Sequence, residues 1–248
     1  MNFFQRILFY ISVPKCVSCG ERLSVNDVAL CRICRKEYYD TRGRSCSVCS
    51  LVLSECTCPN DYLKNHYIKR LAKVFRYVNR DDNRHLPANM LIYSLKQDNR
   101  EDVLSFLSDE LFGVIKDNIV KDCKDYIITS VPRRKGAVRK YGIDHAKLLA
   151  KATAKKLGIP YVSLLKSTAK APQKKMRDAE RIKNATFDYK KNIKDVKGMR
   201  VIIVDDIVTT GASMGSCAML IHALGAKEIV GATLSIAYKD EYEAREVK

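Results

Sequence analysis

The sequence predicts an α/β protein, a parallel doubly wound sheet flanked by helices, with a small cysteine-rich module at its N-terminal end. Three observations carry this. Short apolar, β-branched runs alternate with amphipathic stretches through residues 126–237. One of those runs ends in two carboxylates followed by a Thr/Gly/Ser loop. Eight of the ten cysteines fall between residues 16 and 58.

The chain has 248 residues, of which 46% are hydrophobic and 29% charged. This fits one domain of ordinary size plus a small module and excludes a disordered chain. No run approaches the roughly 18 apolar residues of a membrane span. The opening MNFFQRILFYISVP is apolar, and we read it as a helix docked on the body. A signal peptide is the alternative, but Gln5 and Arg6 interrupt the run and no small-x-small cleavage site follows. A cytoplasmic location is therefore expected, where disulfides are rare.

Next come Cys16-x2-Cys19, Cys31-x2-Cys34 and Cys46-x2-Cys49, recurring with a period of 15 residues, and then Cys56-x-Cys58. Zinc takes four thiolates in a tetrahedron, and a Cys-x2-Cys turn presents two at the right bite, so eight cysteines make two structural sites. Sequential pairing, first four and last four, closes the shorter loops; the regular period also permits an interleaved arrangement. A closed four-thiolate site folds a module too small to hold itself together and leaves no position for chemistry. A disulfide framework is the alternative and does not suit a cytoplasmic chain. Cys123 and Cys217 stand apart at apolar positions and read as inert buried thiols.

Pro59-Asn60-Asp61 marks the break, giving a module over 1–60 and a main domain over 61–248. Residues 71–78 alternate apolar and basic, as an edge strand does. ANMLIYSLK and EDVLSFLSDELFGVIK read as helices. YIITSVP (126–132) is a short strand. A helix over 143–157 places Ile143, Ala146, Ala150, Ala154 and Leu157 on one stripe and stops at Gly158 and Pro160. MRVIIVDD (199–206) is a buried strand. A helix over 212–224 turns Cys217, Leu220, Ile221 and Leu224 inward, and a last strand covers 228–237.

The chemistry concentrates in VIIVDDIVTTGAS (201–213). The strand ends in Asp205 and Asp206, and Thr209, Thr210, Gly211, Ala212 and Ser213 lead into a helix. Backbone N–H groups at a helix N-terminus, with Thr and Ser hydroxyls, suit a phosphate, and Gly211 permits close approach. Carboxylates a few residues away suit the vicinal hydroxyls of the same sugar or a nearby cation. A plain helix cap leaves the two acids unexplained, since burying them is costly. A Walker-type pair lacks its G-x-x-x-x-G-K-[ST] partner.

This segment is similar to the 5-phosphoribosyl-1-pyrophosphate (PRPP) motif of type I phosphoribosyltransferases. The cysteine module, LIYSLK, the SVP turn and PQKKMRDAERIKN (172–184) together resemble the ComF branch, tied to competence and DNA uptake in bacteria. The resemblance implies the type I phosphoribosyltransferase fold and a Mg²⁺-dependent transfer of phosphoribosyl to an unidentified acceptor. It implies that Asp205 and Asp206 hold the ribose hydroxyls and Thr209 through Ser213 the 5′-phosphate. Val131, Pro132, Arg133, Arg134 and Lys135 become the pyrophosphate loop, and Gln173, Arg177, Arg181 and Asn184 part of a flap. Where the family shows an Arg-Gly-Phe-Asn-Gln-like run, this chain has Tyr141-Gly142-Ile143-Asp144-His145, keeping only the glycine.

Charge adds a second theme. The net +17 sits almost wholly in residues 121–200, with 23 basic and 7 acidic side chains. Such a field attracts polyanions. The alternative function is therefore a non-catalytic, single-stranded-DNA-binding competence factor that uses the PRPP fold as a ligand sensor, alongside other competence proteins. Tyr38, Tyr39, Tyr62, Tyr67 and Tyr77 are its candidate base-stacking groups. The four histidines have no metal spacing with one another; His145 lies near enough to the pyrophosphate loop to meet a ligand.

Overall fold

The computed structural model describes residues 13–43, 45–77, 86–134, 136, 138–139, 142–168, 186–191 and 195–237. The apolar N-terminal stretch through residue 12, Lys135, the flap residues Gln173, Arg177, Arg181 and Asn184, and the acidic tail lie outside these.

Two cysteine knuckles of the same geometry open the structure. At Cys16 the strand-like Lys15 and Arg22 pair, the Gly20 N–H donates to the Cys16 carbonyl at 3.0 Å, and Gly20 sits at φ +78°. At Cys46, Ser45 pairs with Val52, the Ser50 N–H donates to the Cys46 carbonyl at 2.9 Å, and Ser50 sits at φ +60°. The geometric repeat is thus every second Cys-x2-Cys of the sequence period. The middle one differs: Cys31 caps helix α1 (Arg32–Arg42) and Cys34 lies within it. Short helix α2 (Asp61–Asn65) follows, started by the Asn60 side chain accepting from the Leu63 N–H at 2.9 Å.

Strand β1 (Arg70–Arg76), helices α3 (Pro87–Gln97) and α4 (Glu101–Asn118), strand β2 (Tyr126–Ser130) and helix α5 (His145–Leu157) come next. Then follow the short antiparallel pair β3 (Leu165–Ser167) and β4 (Phe187–Tyr189), strand β5 (Arg200–Val208), helix α6 (Ala212–Ala223) and strand β6 (Glu228–Ile236). The main sheet is parallel throughout in the order β1-β6-β5-β2. Residues 160–162 extend it beyond β2, where the Ile128 N–H donates to Pro160 and the Val162 N–H to Ile128. After β2 the chain moves outward to 160–162, whereas β5 returns to β2's other side. The strand order therefore reverses between β2 and β5, the position where open α/β sheets bind ligands.

The elements match the expected ones closely, with informative exceptions. Helix α5 begins at His145 because Asp144 caps it, accepting from the Lys147 N–H at 3.1 Å, so Ile143 falls outside the helix. It stops where expected, at left-handed Gly158. On α6, Cys217 and Ile221 are buried while Leu220 and Leu224 are half-buried. Cys123 is exposed, contrary to the expectation of a buried thiol, because its loop runs over the surface before β2.

Both sheet faces are covered. One carries α1, α3, α4 and α5 against Phe75, Ile128, Ile202, Val204, Val230 and Leu234. The other carries α2, α6 and the β3–β4 pair against Leu71, Ile127, Val201, Ile203 and Ile229. The first cysteine group packs into the former core, through Cys16 and Cys34, and the second into the latter, through Cys46 and Cys56. Tyr38 of α1 is fully buried, edge-on to Phe75 and Phe106, with its hydroxyl donating to Glu110 at 3.0 Å. It is thereby removed from any base-stacking role. No described helix is long and apolar enough to cross a membrane.

Candidate functional site

Parallel register brings the two chemistry-bearing loops together. Ser130 of β2 aligns with Val204 of β5, and the Val131 N–H donates to the Val204 carbonyl at 2.9 Å. Val131 through Arg134 therefore leave the sheet beside Asp205 and Asp206. Val131 is buried, and Pro132, Arg133 and Arg134 are half-buried.

Successive strand residues point to opposite faces, and the two acids do so here. Asp206 turns toward α3, where its Oδ2 meets the Lys96 Nζ at 3.0 Å. Asp205 lies on the α6 side, close enough to Cys217 for its charge to help raise that buried thiol. Their protonation separates. Burial, then repulsion from Asp206, pushes Asp205 well above the ordinary carboxylate range. Burial acts against ionisation of Asp206 too, but the Lys96 ammonium, the Ile207 N–H at 2.7 Å and the Arg133 guanidinium outweigh it, and its carboxyl is held low. The two carboxyls are thus shifted in opposite directions, Asp205 up and Asp206 down.

Lys96 was legible as part of an amphipathic helix but its role was not. Nothing in LIYSLK signals that its last residue reaches across to a strand end. Asn99 is likewise missed, and His145, expected near the pyrophosphate loop to meet a ligand, is a buried partner of Arg133. His145 is 2% exposed, its Nδ1 accepts from Arg133 at 2.6 Å, and its Nε2 lies 3.1 Å from Asn99 Oδ1. Burial and the Arg133 charge lower its pKa, so it is neutral, with the proton on Nε2. Arg133 also donates to the Ile143 carbonyl at 3.3 Å, and its N–H points at Asp144 Oδ2 at 3.4 Å. The Ile143-Asp144-His145 run, where this chain departs from the family pattern, thus anchors Arg133.

The Thr209–Ser213 loop turns from β5 into α6. Gly211 caps the helix at φ +84°. A Cβ there would lie 2.7 Å from Leu63 Cγ, so glycine is required both by the backbone and by α2 packed against it. Thr210 Oγ1 accepts from the Ala212 N–H at 3.3 Å, and the Thr210 carbonyl accepts from Asn60 Nδ2 at 3.2 Å. The stretch between the cysteines and the sheet therefore touches the phosphate-type loop directly. Thr209 is exposed, and Thr210 and Ser213 are half-buried.

The structure groups Cys16, Cys19, Cys31 and Cys34 together, and Cys46, Cys49, Cys56 and Cys58 together, each set with its sulfurs within 4.8 Å of one another. Zn–S bonds of about 2.3 Å place tetrahedral sulfurs about 3.8 Å apart, and Cys19 and Cys31 Sγ lie 3.7 Å apart. Both sets could therefore bind zinc. Burial raises the first cysteine of each knuckle, but N–H groups from Ser18, Cys19 and Cys31, or from Val48 and Cys49, bring Cys16 and Cys46 down to about 7. Lys73 of β1, which is the edge strand that the alternating pattern predicts, is fully buried. Its Nζ lies 3.1 Å from Cys56 Sγ and 2.8 Å from the Cys58 carbonyl.

Residues 145–248 match the family described as Phosphoribosyl transferase domain. The adenine phosphoribosyltransferase of Dichelobacter nodosus is 37% identical over 91 residues, 34% of this chain. The chain spans 48%, about half, of that relative's length. Two solved structures are also similar. The purine phosphoribosyltransferase of Pyrococcus horikoshii is 22% identical, with 54% of this chain and 81% of that one covered and a TM-score of 0.36. The Saccharomyces cerevisiae adenine phosphoribosyltransferase is 21% identical, with 60% and 76% covered and a TM-score of 0.38. The matched region holds α5, β5, the acidic pair and the loop into α6. Residues 145–248 are thus similar to a phosphoribosyl transferase domain, and they lie in a structure with a parallel sheet flanked by helices and two four-cysteine groups at its N-terminal side.

Proposed function

We propose that the protein binds PRPP at the switch point between β2 and β5 and transfers phosphoribosyl to an acceptor. The observation that carries this is the acidic pair, its carboxyls on opposite faces of the strand end, beside a glycine-capped helix start and the Arg133 loop. In this reading the loop of Thr209, Thr210, Gly211, Ala212 and Ser213 takes the 5′-phosphate, and Asp205 and Asp206 accept from the ribose hydroxyls. Val131 through Lys135 face the pyrophosphate, with Arg133 pre-set by neutral His145 and Asp144. Gln173, Arg177, Arg181 and Asn184 are, by the resemblance, the candidate flap residues of this reading.

Breaking the bond from C1 to pyrophosphate leaves positive charge on the sugar and negative charge on the leaving group. In this reading Asp206 would face the developing sugar cation, and Arg133 and Arg134 the departing oxygens. Mg²⁺ carried in by the pyrophosphate would supply further charge neutralisation. Asp206 is already tied to the Lys96 ammonium at 3.0 Å, so a cation stands beside the pair.

The two four-cysteine groups beside this domain support the ComF-type reading, with structural zinc, a cytoplasmic location and a role in competence and DNA uptake. The surplus of 16 basic residues in 121–200 favours single-stranded DNA as a further partner. The deciding experiment is calorimetric titration with Mg²⁺ and PRPP, followed by pyrophosphate release with a panel of bases and DNA fragments. Asp205→Asn and Asp206→Asn are each expected to weaken PRPP binding about tenfold or more. Unaltered affinity in both variants defeats the reading.

A further inference from the structure

At the opposite end of the sheet, where β5 and β6 begin, a second concavity of about 450 Å³ is lined by Tyr67, Lys69, Arg200, His222, Lys227 and Glu228, among others. It lies about 17 Å from Asp205, five residues along β5. Two features distinguish it from ordinary polar surface. Tyr67 is 47% exposed and its ring stacks on His222, with centroids 3.8 Å apart and planes 12° from parallel. Tyr67 also holds φ +67°, in the left-handed turn that ends α2, where the Ile68 N–H donates back to the Leu63 carbonyl at 3.0 Å. Glycine or asparagine is the economical residue for such a turn. An aromatic residue there is strained, and such strain gathers at ligand sites.

The charges around the ring are arranged for an anion. Lys69 and Lys227 are exposed and make no ion pair among the described residues. Arg200 is held over the Tyr126 ring at 5.3 Å and leans on Glu228 at 3.7 Å, while Arg70 takes the other Glu228 oxygen at 2.7 Å. Three cations against one carboxylate leave the rim positive. Of the five tyrosines that the sequence nominates for base stacking, Tyr38 is buried, Tyr77 is half-buried against the core and the Tyr39 hydroxyl is spent on Glu110. Tyr62 and Tyr67 each stack on a histidine, but Tyr62 is half-buried, whereas Tyr67 is exposed and lines the cavity.

We propose that this concavity binds a nucleoside 5′-monophosphate. The base stacks on the Tyr67–His222 pair, the phosphate meets Lys69, Lys227 and Arg200, and Glu228 accepts from a ribose hydroxyl or an exocyclic amine. Volume and charge select a single nucleotide over a strand. The cavity is of one-ligand size, and the Glu228 carboxylate on its lining opposes a continuing run of phosphates. The site is separate from the acidic-pair site and stands whether or not that site binds PRPP.

The test uses the full zinc-loaded chain, with PRPP and Mg²⁺ at saturation so that the first site is blocked if it exists. AMP is titrated by calorimetry and by NMR of the His222 imidazole. The expected result is AMP binding with a His222 shift, weakened about tenfold in Tyr67→Asn and in Lys227→Glu, with thermal midpoints retained because asparagine accepts the left-handed turn. Ribose 5-phosphate, lacking the base, is expected to bind about tenfold more weakly than AMP. The proposal is overturned if AMP binds no tighter than about 1 mM, if both variants bind it normally, or if ribose 5-phosphate shifts His222 as strongly. It is overturned equally if a short single-stranded oligonucleotide occupies the cavity while AMP does not.

Discussion

Replacing Gly211 by alanine tests whether α2, and through it the cysteine-bearing region, braces the phosphate-type loop. Two costs add. Holding a residue with a Cβ at φ +84° costs about 1–2 kcal/mol. The new methyl would sit 2.7 Å from Leu63 Cγ and 2.8 Å from its Cδ2, and Leu63 is fully buried, so relief means moving packed atoms at about 1–3 kcal/mol. Gly211→Ala should therefore destabilise by about 2–5 kcal/mol. Leu63→Ala alone should cost about 2–5 kcal/mol as a cavity. In the double variant the methyl has room, so only the backbone cost persists and the sum falls short by about 1–3 kcal/mol. Urea titration of all four zinc-loaded proteins measures the coupling through shifts in midpoint at constant slope. A coupling below about 0.5 kcal/mol means that α2 does not press on the loop, and the argument for the brace fails.

Further outcomes follow from charge and backbone. Asp205 is raised, so the folded state resists its ionisation, and stability is lost as pH climbs from the ordinary carboxylate range toward its folded value. Asp205→Asn should thus melt higher than wild type at pH 7 and equal it at about pH 3; a difference that does not grow with pH contradicts this. A four-thiolate zinc site carries roughly −2, and Lys73 is the buried cation on the second one. Lys73→Met should speed zinc loss to a chromogenic chelator from the Cys46 group while sparing the Cys16 group, and equal loss from both would count against the assignment. Ser50 occupies in the second knuckle the left-handed place that Gly20 holds in the first. Ser50→Gly should stabilise by about 0.5–1 kcal/mol in the same urea assay.

The sheet and the site strand were readable because their signals are local. An apolar run such as VIIV, a glycine after TT and a Gly158-x-Pro160 stop each report their own backbone through sterics and hydrophobic period. The cysteine period was readable too, yet it misstated the repeat: only the first and third Cys-x2-Cys turns share a fold, since the second caps a helix. Basic residues misled most. Lys73 lies on the edge strand that its alternation predicts but is buried on cysteine sulfur, and Lys96 looks like a helix-end charge but pairs with Asp206. Long flexible side chains reach partners 17 to 110 positions away, and no periodicity encodes such distances.

By itself, then, the sequence determined which segments become strands, where the acidic pair and its glycine loop fall, and how many thiolates stand ready for metal. Tertiary structure alone decided that the two acids shift in opposite directions, because that depends on Lys96 and Arg133 approaching from separate helices and loops. It also decided that Tyr67 and His222 meet, 155 positions apart in the chain, beside Lys69, Arg200 and Lys227. Electrostatic energy depends on distance through space and on how much water is excluded, and both are set only when the sheet closes its layers.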